Sequence, residues 1–483
     1  MPTTAFLKRT AFACLLISLP LILAAQTPLQ QFLRNPALKH ASVGVNVVDL
    51  GSGKTLLSHN AEKSLTPASV QKLITTAAAV EMFGADFRYT TLVALDKNDA
   101  SRILVVGTGD PTLGSSAFDD NPNAFFINCA SELKNKLPAD KKYSLYVVDN
   151  LFGYEGVSPE WTWVDMGNYY AAGAYGISVF DNTYNLFFNT TKRDSCPQIL
   201  RTEPSIKGLT FDNYLTLNTS GQDNGYIYGA PFAVERSVRG NIPAGRAEFS
   251  IKGDIPDPGL LLGETMAEYL RNAGFEIEKV ETARKNFVAQ LCETDKTLPY
   301  SIGKTLFEHR SRPLSEIIRE VNVQSNNHYA EHLIRSIGRS KNAAIYSDAL
   351  QEGIDATAFF WKSKGIDTEA LTMYDGCGLA PQNTVSPKFL THLLTYMYAG
   401  KNATVFFDSL PKAGEEGTVR SFMANTAYKG KIHAKSGSIG GVQSYAGYLI
   451  ADNKKLAFSV MINKFNGTRT EVRHAVEKLL AGL

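Results

Sequence analysis

Alternating apolar and polar residues occur near both ends of this chain and enclose a helical stretch, and that nesting limits the fold more than any single motif. Near the start, "VGVNVVDLGSGKTLLS" (43–58) alternates on either side of Gly51-Ser52-Gly53, the pattern of a β-hairpin. Near the end, "VQSYAGYLIADNKKLAFSVMIN" alternates across the polar turn Asp452-Asn453, and the helical "TEVRHAVEKLLAGL" follows. Between them, after Pro313, helical periodicity runs through "LSEIIREVNVQSNNHYAEHLIRSIG", "SDALQEGIDATAFFWKSKG" and "KFLTHLLTYMYAG". Strands at both ends of a helical middle predict an α/β (α+β) domain whose antiparallel sheet is closed by the two ends of the chain. At 483 residues the chain is too long for a single core. The extra length lies in residues 85–300, where strand-like runs ("TTLVAL", "RILVVG", "YSLYVV", "AEFSI") alternate with turn-rich stretches and one helical run, "GLLLGETMAEYLRNAGF". The expected organisation is a discontinuous domain over 26–84 and 301–483 that carries a large β-rich insertion over 85–300, in two lobes.

The chain is 44% hydrophobic and 20% charged, with a formal net charge of +2. Such a balance carries no electrostatic footprint for nucleic acid or an acidic membrane, which leaves a small substrate or a neutral polymer. Residues 1–25 read as an export signal: Lys8 and Arg9 form the basic start, Ala11 to Ile22 the apolar stretch, and Ala24-Ala25 the cleavage site. That apolar run is about 15 residues, short of the roughly 20 that span a bilayer. The mature chain is therefore expected in the periplasm or cell envelope without a transmembrane segment; an uncleaved anchor is the alternative. Cys14 lies inside the apolar run, not after it, so no lipid anchor is read there. Cys129, Cys196, Cys292 and Cys377 are widely spaced and form no C-x-x-C; an exported chain could join some as disulfides, but spacing does not give the pairing.

Chemistry enters at "PASVQKLIT" (67–75). Pro67 suits the first turn of a helix, Val70, Leu73, Ile74, Ala77 and Ala78 supply its buried face, and Gly84 ends it. Ser69 and Lys72, three residues apart, then project from one face within hydrogen-bond reach. A serine hydroxyl attacks only when a base takes its proton, and lysine is such a base only when neutral. With an ordinary pKa, deprotonating it at neutral pH costs about 4.6 kcal/mol. Burial and a second cation both lower that cost. Ser-x-x-Lys also occurs at Ser131, Ser301 and Ser409, so the tetrapeptide alone selects nothing. The nearby "GSGKT" is not a phosphate-binding loop, because Val48 stands where that loop needs a glycine.

The second cation is found in "AKSGSIGG". Lys435-Ser436-Gly437 precedes a predicted strand, and glycine there lets a substrate lie against the strand edge. By itself the motif is equally a basic turn before an edge strand. Ser325-Asn326-Asn327 stands at the loop or helix start before "HYAEHL", where serine and asparagine also serve as ordinary helix caps. Specificity comes from order: Ser69, Ser325 and Lys435 follow one another along the chain, each at an element boundary.

The trio Ser-x-x-Lys, Ser-x-Asn, Lys-Ser/Thr-Gly resembles that of the penicillin-recognising serine acyltransferases. The long segment between the first two motifs is similar to that of the class C low-molecular-mass penicillin-binding proteins, the D-alanyl-D-alanine carboxypeptidase/endopeptidases. "GTGDPTL" (107–113), "WTWVDM" (161–166), "HRSRPLSEIIREVNVQSNN" and "DGCGLAPQNTVSP" (375–387) extend the resemblance over nearly all of the mature chain. It implies a penicillin-binding-protein/β-lactamase-like transpeptidase domain without a cofactor or metal. Its substrates would be peptidoglycan stem peptides ending in D-Ala-D-Ala or cross-linked muropeptides, with β-lactams as covalent inhibitors.

Carried onto this chain, the resemblance makes Ser69 the nucleophile and Lys72 its base. Ser325 would bridge Lys72 and Lys435 and pass a proton to the leaving amine, and Asn327 would bond the substrate backbone. Lys435 and Ser436 would hold the terminal carboxylate or supply positive field, with Gly437 beside them. The N–H groups of Ser69 and Ser438 would form the oxyanion hole, and Asp165 and Tyr170 would contact the stem's free amino end. Two positions depart from the family pattern. Cys377 stands where serine is usual, a buried small residue or a thiol nucleophile. Pro381 stands where many members carry an arginine, so no partner is implied for the stem's side-chain carboxylate.

Rival readings attach to other features. "HYAEH" fits the H-x-x-E-H pattern of zinc peptidases, with His328 and His332 as ligands and Glu331 as base. A β-lactamase would share the acylation apparatus and add fast deacylation, and a penicillin-sensing module would use the fold without turnover. The large insertion weighs against the first of these and the intact trio against the second.

Overall fold

The computed structural model describes residues 27–192, 196–284, 298–344, 347–451 and 454–483. The export signal with Cys14, Cys292 and the Asp452-Asn453 turn lie outside the described residues. Among the described residues no helix is long and apolar enough to cross a membrane.

Both chain ends build one antiparallel sheet. With elements numbered along the chain, β1 (Ser42–Asp49) pairs with β2 (Thr55–His59) on one side and β16 (Lys454–Asn463) on the other, in register from Ser42 opposite Asn463 to Asp49 opposite Leu456. Then come β15 (Val442–Ala451) and, at the edge, β14 (Ile432–Ile439), in the order β14-β15-β16-β1-β2. Strand alternation gives two covered faces. Val43, Val45, Val47, Phe458, Val460 and Ile462 meet α1 (Pro28–Leu33) and α10 (Arg469–Ala481), which bury Phe32, Val472, Val476 and Leu479 against them. Ala446, Tyr448, Ala457 and Met461 face a bundle of α2 (Lys72–Phe83), α5 (Leu314–Gln324), α6 (Asn327–Lys341), α7 (Ala349–Ser363), α8 (Pro387–Ala399) and α9 (Ala403–Ser409). Buried from Lys72 to Val80, α2 shows no polar face in "KLITTAAAV" because it has no face toward water.

Two local features sharpen the sequence pattern. The helical text from 314 to 338 is broken at Ser325, which takes a left-handed conformation (φ 62°, ψ 37°) and ends α5. Asn326 then caps α6, its side chain accepting the Tyr329 N–H at 3.1 Å. And Lys435-Ser436-Gly437 lies inside a strand, not before one, since β14 pairs with β15 across Gly440-Gly441.

The segment between α2 and α5 holds a five-stranded sheet, β12-β5-β4-β3-β13, formed by β3 (Thr90–Asp96), β4 (Arg102–Val106), β5 (Lys142–Val148), β12 (Glu276–Thr282) and β13 (Ile302–Arg310). β4, β5 and β12 run parallel, and α3 (Ala124–Lys136) is the crossover that a parallel β4–β5 pair requires. With α4 (Pro258–Asn272), the helical run expected from the sequence, it packs on a segment that is β-rich as expected but mixes parallel with antiparallel pairs, and the sheet runs past residue 300 to Arg310. Among the described residues it also holds two three-stranded sheets: β6 (Thr183–Asn189), β7 (Gln198–Glu203) and β11 (Phe249–Asp254) in the order β11-β6-β7, and β8 (Thr210–Asn218), β9 (Asn224–Tyr228) and β10 (Glu235–Pro243) in the order β8-β10-β9. One continuous apolar cluster, including Val105, Phe126, Val147, Leu186, Val238 and Leu262, runs through all three sheets. A buried ion pair, Arg236 to Asp254 at 3.0 Å, links β10 to β11.

Helices α6 and α7 cross so closely that a Cβ on Gly353 would lie 2.0 Å from the Ile334 carbonyl oxygen. Gly353→Val is expected to cost about 1–3 kcal/mol through overpacking, read as a lower urea midpoint at unchanged m value.

Candidate active site

Ser69 sits in a tight first turn, the 3₁₀ segment Ala68–Gln71, with Ala68 at φ 49°, and Lys72 opens α2 directly behind it. Lys72 is fully buried. Its Nζ donates to Ser69 Oγ at 3.0 Å, Asn327 Oδ1 at 2.6 Å and the Cys377 carbonyl at 2.7 Å, which uses all three of its donors. Burial pushes its pKa below the ordinary lysine value, against the opposing pull of Cys377, Asp375 and Glu331.

Lys435 is equally buried and donates to Ser325 Oγ at 2.9 Å and to the Ser436 carbonyl at 2.7 Å. Burial and then the charge of Lys72 push it well below the usual lysine range. Ser325 therefore meets Lys435, but its hydroxyl makes no hydrogen bond to Lys72, so the expected bridge is half formed: the Lys72 donors are already taken. Asn327 uses its oxygen on Lys72 and one N–H on the Tyr170 carbonyl at 2.7 Å, which leaves its second N–H for a substrate. The Ser436 hydroxyl bonds the Thr418 hydroxyl at 2.8 Å.

Two glycines press closely on the Ser69 turn. A Cβ on Gly437 would lie 2.6 Å from the Pro67 carbonyl oxygen and 2.9 Å from the Ser69 nitrogen; one on Gly378, at φ 81°, would lie 2.1 Å from the Ala68 carbonyl oxygen. The Gly378 loop is shaped by the buried carboxylate of Asp375. It accepts from the backbone N–H groups of Gly378, Leu379 and Ala380 and from the side chains of Gln71, Trp161 and Asn383, all within 3.0 Å. That network presents the Cys377 carbonyl to Lys72.

In front lies a cleft of about 1000 Å³ whose lining includes Ser69, Ser325, Asn327, Ser436, Ser438, Asp165 and Tyr170. Asp165 is held by Thr162, whose hydroxyl donates at 2.5 Å, and desolvation and then the Asp165 charge push the Tyr170 phenol up. An oxygen nucleophile, two neighbouring buried lysines and open backbone along an edge strand suit acyl transfer.

The model of the D-Ala-D-Ala carboxypeptidase 3 (S13) family matches residues 25–483. The chain belongs to this family. A D-alanyl-D-alanine carboxypeptidase of Actinomadura sp. (strain R39) is 29% identical over 451 residues, which cover 90% of this chain and 80% of the relative. Penicillin binding protein 4 (dacB) from Haemophilus influenzae has the same fold, with a TM-score of 0.74 at 20% identity over 91% of this chain and 95% of the other. Its complex with a β-lactam gives 0.73 at 18% identity, over 94% and 98%. This S13 member is a serine-type D-alanyl-D-alanine carboxypeptidase, a class C low-molecular-mass penicillin-binding protein of mixed α/β fold.

The zinc reading fails on geometry. Glu331 is bound to Arg335 at 2.6 Å and accepts the Gly376 N–H at 2.7 Å, while the His332 ring nitrogens meet the Gly109 carbonyl and the Ser178 hydroxyl, each at 2.8 Å. Burial pushes both histidines down, so they stay neutral helix-packing residues of the S13 fold. Glu331, Asp375 and Cys377 do bring one potential ligand atom each within 4.8 Å of one another, yet both carboxylates are committed to the hydrogen bonds above. Cys377 is no nucleophile: burial holds its thiol well above the ordinary range, and what it gives Lys72 is its carbonyl. Among the described residues Cys129, Cys196 and Cys377 are free thiols. Pro381 contributes a carbonyl that accepts the Thr66 hydroxyl at 3.3 Å.

The sequence pattern missed Thr418, Arg469, Arg473 and Lys252, which also line the cleft and belong to no motif. Gly417, next to Thr418, carried a usable signal: it has φ 49° and abuts the Val323 carbonyl at the end of α5. Gly437→Ala in this S13 enzyme is expected to displace the Ser69 turn and slow acylation by a β-lactam about 100-fold while the far-ultraviolet circular dichroism stays that of the wild type.

Proposed function

We propose that Ser69 attacks the carbonyl between the two terminal D-alanines of a peptidoglycan stem peptide, with neutral Lys72 taking its proton. The observation that carries this is the 3.0 Å contact of Ser69 Oγ with a buried lysine whose pKa is pushed down. Ser325 gives its hydroxyl proton to the departing D-alanine amine and recovers one from Lys435, while Lys72 keeps the Ser69 proton until water hydrolyses the ester and Ser69 leaves. The N–H groups of Ser69, in a first helical turn, and of Ser438, on an edge strand, stabilise the oxyanion, an interaction of about 2.7–4 kcal/mol in such sites. Lys435 and Ser436 receive the terminal carboxylate, beside Gly437. Asn327 orients Lys72 and offers its second N–H to the substrate backbone; Asp165 and Tyr170 meet the stem's free amino end. Cross-linked muropeptides fit the same chemistry, and β-lactams acylate Ser69 and leave slowly. The catalytic unit is the discontinuous domain expected over 26–84 and 301–483, its second part starting after Arg310, where the inserted sheet ends, and the chain works in the periplasm or cell envelope after removal of 1–25.

Intact-mass spectrometry after benzylpenicillin tests the nucleophile. One covalent adduct is expected on the wild type, none on Ser69→Ala, and no change with EDTA; a wild type without an adduct, whose peptidase activity EDTA abolishes, would overturn the assignment. A pH profile tests the base. Because burial lowers the Lys72 pKa, the neutral fraction grows as pH rises through that lowered value. The acylation rate should climb with pH on its acid side and level off above it, and Lys72→Arg should lose that limb with most of the rate.

A further inference from the structure

One face of the small sheet β8-β10-β9 is aromatic and open. Tyr214, Arg239 and Tyr226 stand directly opposite one another across the three strands. Tyr214 is 61% and Tyr226 41% exposed, whereas their sequence neighbours Leu215 and Ile227 are buried in the core beneath. The Arg239 guanidinium lies 5.5 Å from the centre of the Tyr214 ring and 5.7 Å from that of Tyr228. Trp163, 65% exposed, sits 6.1 Å from Tyr228 and extends the row. Core packing does not require these rings, and a contiguous exposed patch of this kind marks a binding surface.

The patch continues into the active-site cleft. The loop that bears Trp163 also carries Asp165, Tyr169 and Tyr170, all of which line the cleft. It is stitched to β9: Asn168 accepts the Ile227 N–H at 3.1 Å, and a Cβ on Gly167 would lie 2.6 Å from the Ile227 carbonyl oxygen. A polymer whose peptide branch enters the cleft at Asp165 and Tyr170 would therefore cross Trp163 and the tyrosine row with its backbone.

We propose that this face is a glycan platform on which the sugar strand of peptidoglycan stacks while its stem peptide enters the cleft. Flat aromatic rings present negative π faces to the C–H edges of pyranose rings, and tyrosine and tryptophan add hydrogen bonds at their polar ends. Arg239 supplies donors for the carbonyl oxygens of N-acetyl groups. The occupant follows from continuity with the cleft, so the proposal rests on the peptidoglycan reading of the site.

The test pairs Trp163→Ala with Tyr214→Ala in one full-length variant and repeats it with Arg239→Ala. Sedimentation with peptide-stripped glycan strands reads binding without catalysis, and D-alanine release is compared between a soluble acyl-D-Ala-D-Ala peptide and intact glycan-linked peptidoglycan. The expected result is about a tenfold loss of glycan binding and a similar rise in KM on the glycan-linked substrate, with kcat and the soluble peptide unaffected. Variants that sediment like the wild type, or that lose activity equally on both substrates, would overturn the platform. A wild type that sediments with glycan, and a variant that does not, support it even if neither releases D-alanine, a result that would count against the carboxypeptidase reading of the cleft and not against the platform.

Discussion

The three hydrogen bonds of the Lys72 ammonium hold this site together. A buried ammonium without partners costs several kcal/mol, so whatever satisfies it must be brought close and kept there. Its partners come from three remote parts of the chain: the Ser69 turn, the start of α6 and the loop after Asp375. Each is in turn fixed by something else. Asp375 gathers its loop with six hydrogen bonds, Ser325 breaks the helix so that Asn327 can point inward, and Gly378 and Gly437 leave room for two backbones to close on Ser69.

The second lysine makes the arrangement electrostatically unstable in a useful way. Two buried ammonium groups repel, which favours loss of a proton from the pair. A substrate carboxylate arriving at Lys435 and Ser436 would relieve that repulsion.

The inserted segment is part of the site and not only attached to it. Tyr170 lends its carbonyl to Asn327, and Trp161 donates to Asp375 at 2.9 Å. On α6, Tyr329 bonds Asp181 and His332 bonds Ser178 and Gly109. The helix whose H-x-x-E-H spacing suggested a metal is therefore the surface on which the insertion docks, with both histidines desolvated and neutral and both ring nitrogens of His332 hydrogen-bonded to the insertion.

Sequence alone determined the parts whose physics is local. Ser69 and Lys72 meet because residues three apart share a helix face, the end segments are extended because their apolar residues recur with strand spacing, and motif order supplied the second cation. The parts that depend on distant packing were decided by the tertiary structure. A strand-like run reads the same whether its neighbour is parallel or antiparallel, so the α/β sheet of the insertion was not legible. The break at Ser325 was legible from the Ser-Asn-Asn cap signal, whereas its left-handed conformation was not, because a residue other than glycine leaves no such mark in the sequence. Ser325 meets Lys435 and not Lys72, Glu331 belongs to Arg335, and Thr418 lies beside Ser436, because each depends on which donors other residues have already taken.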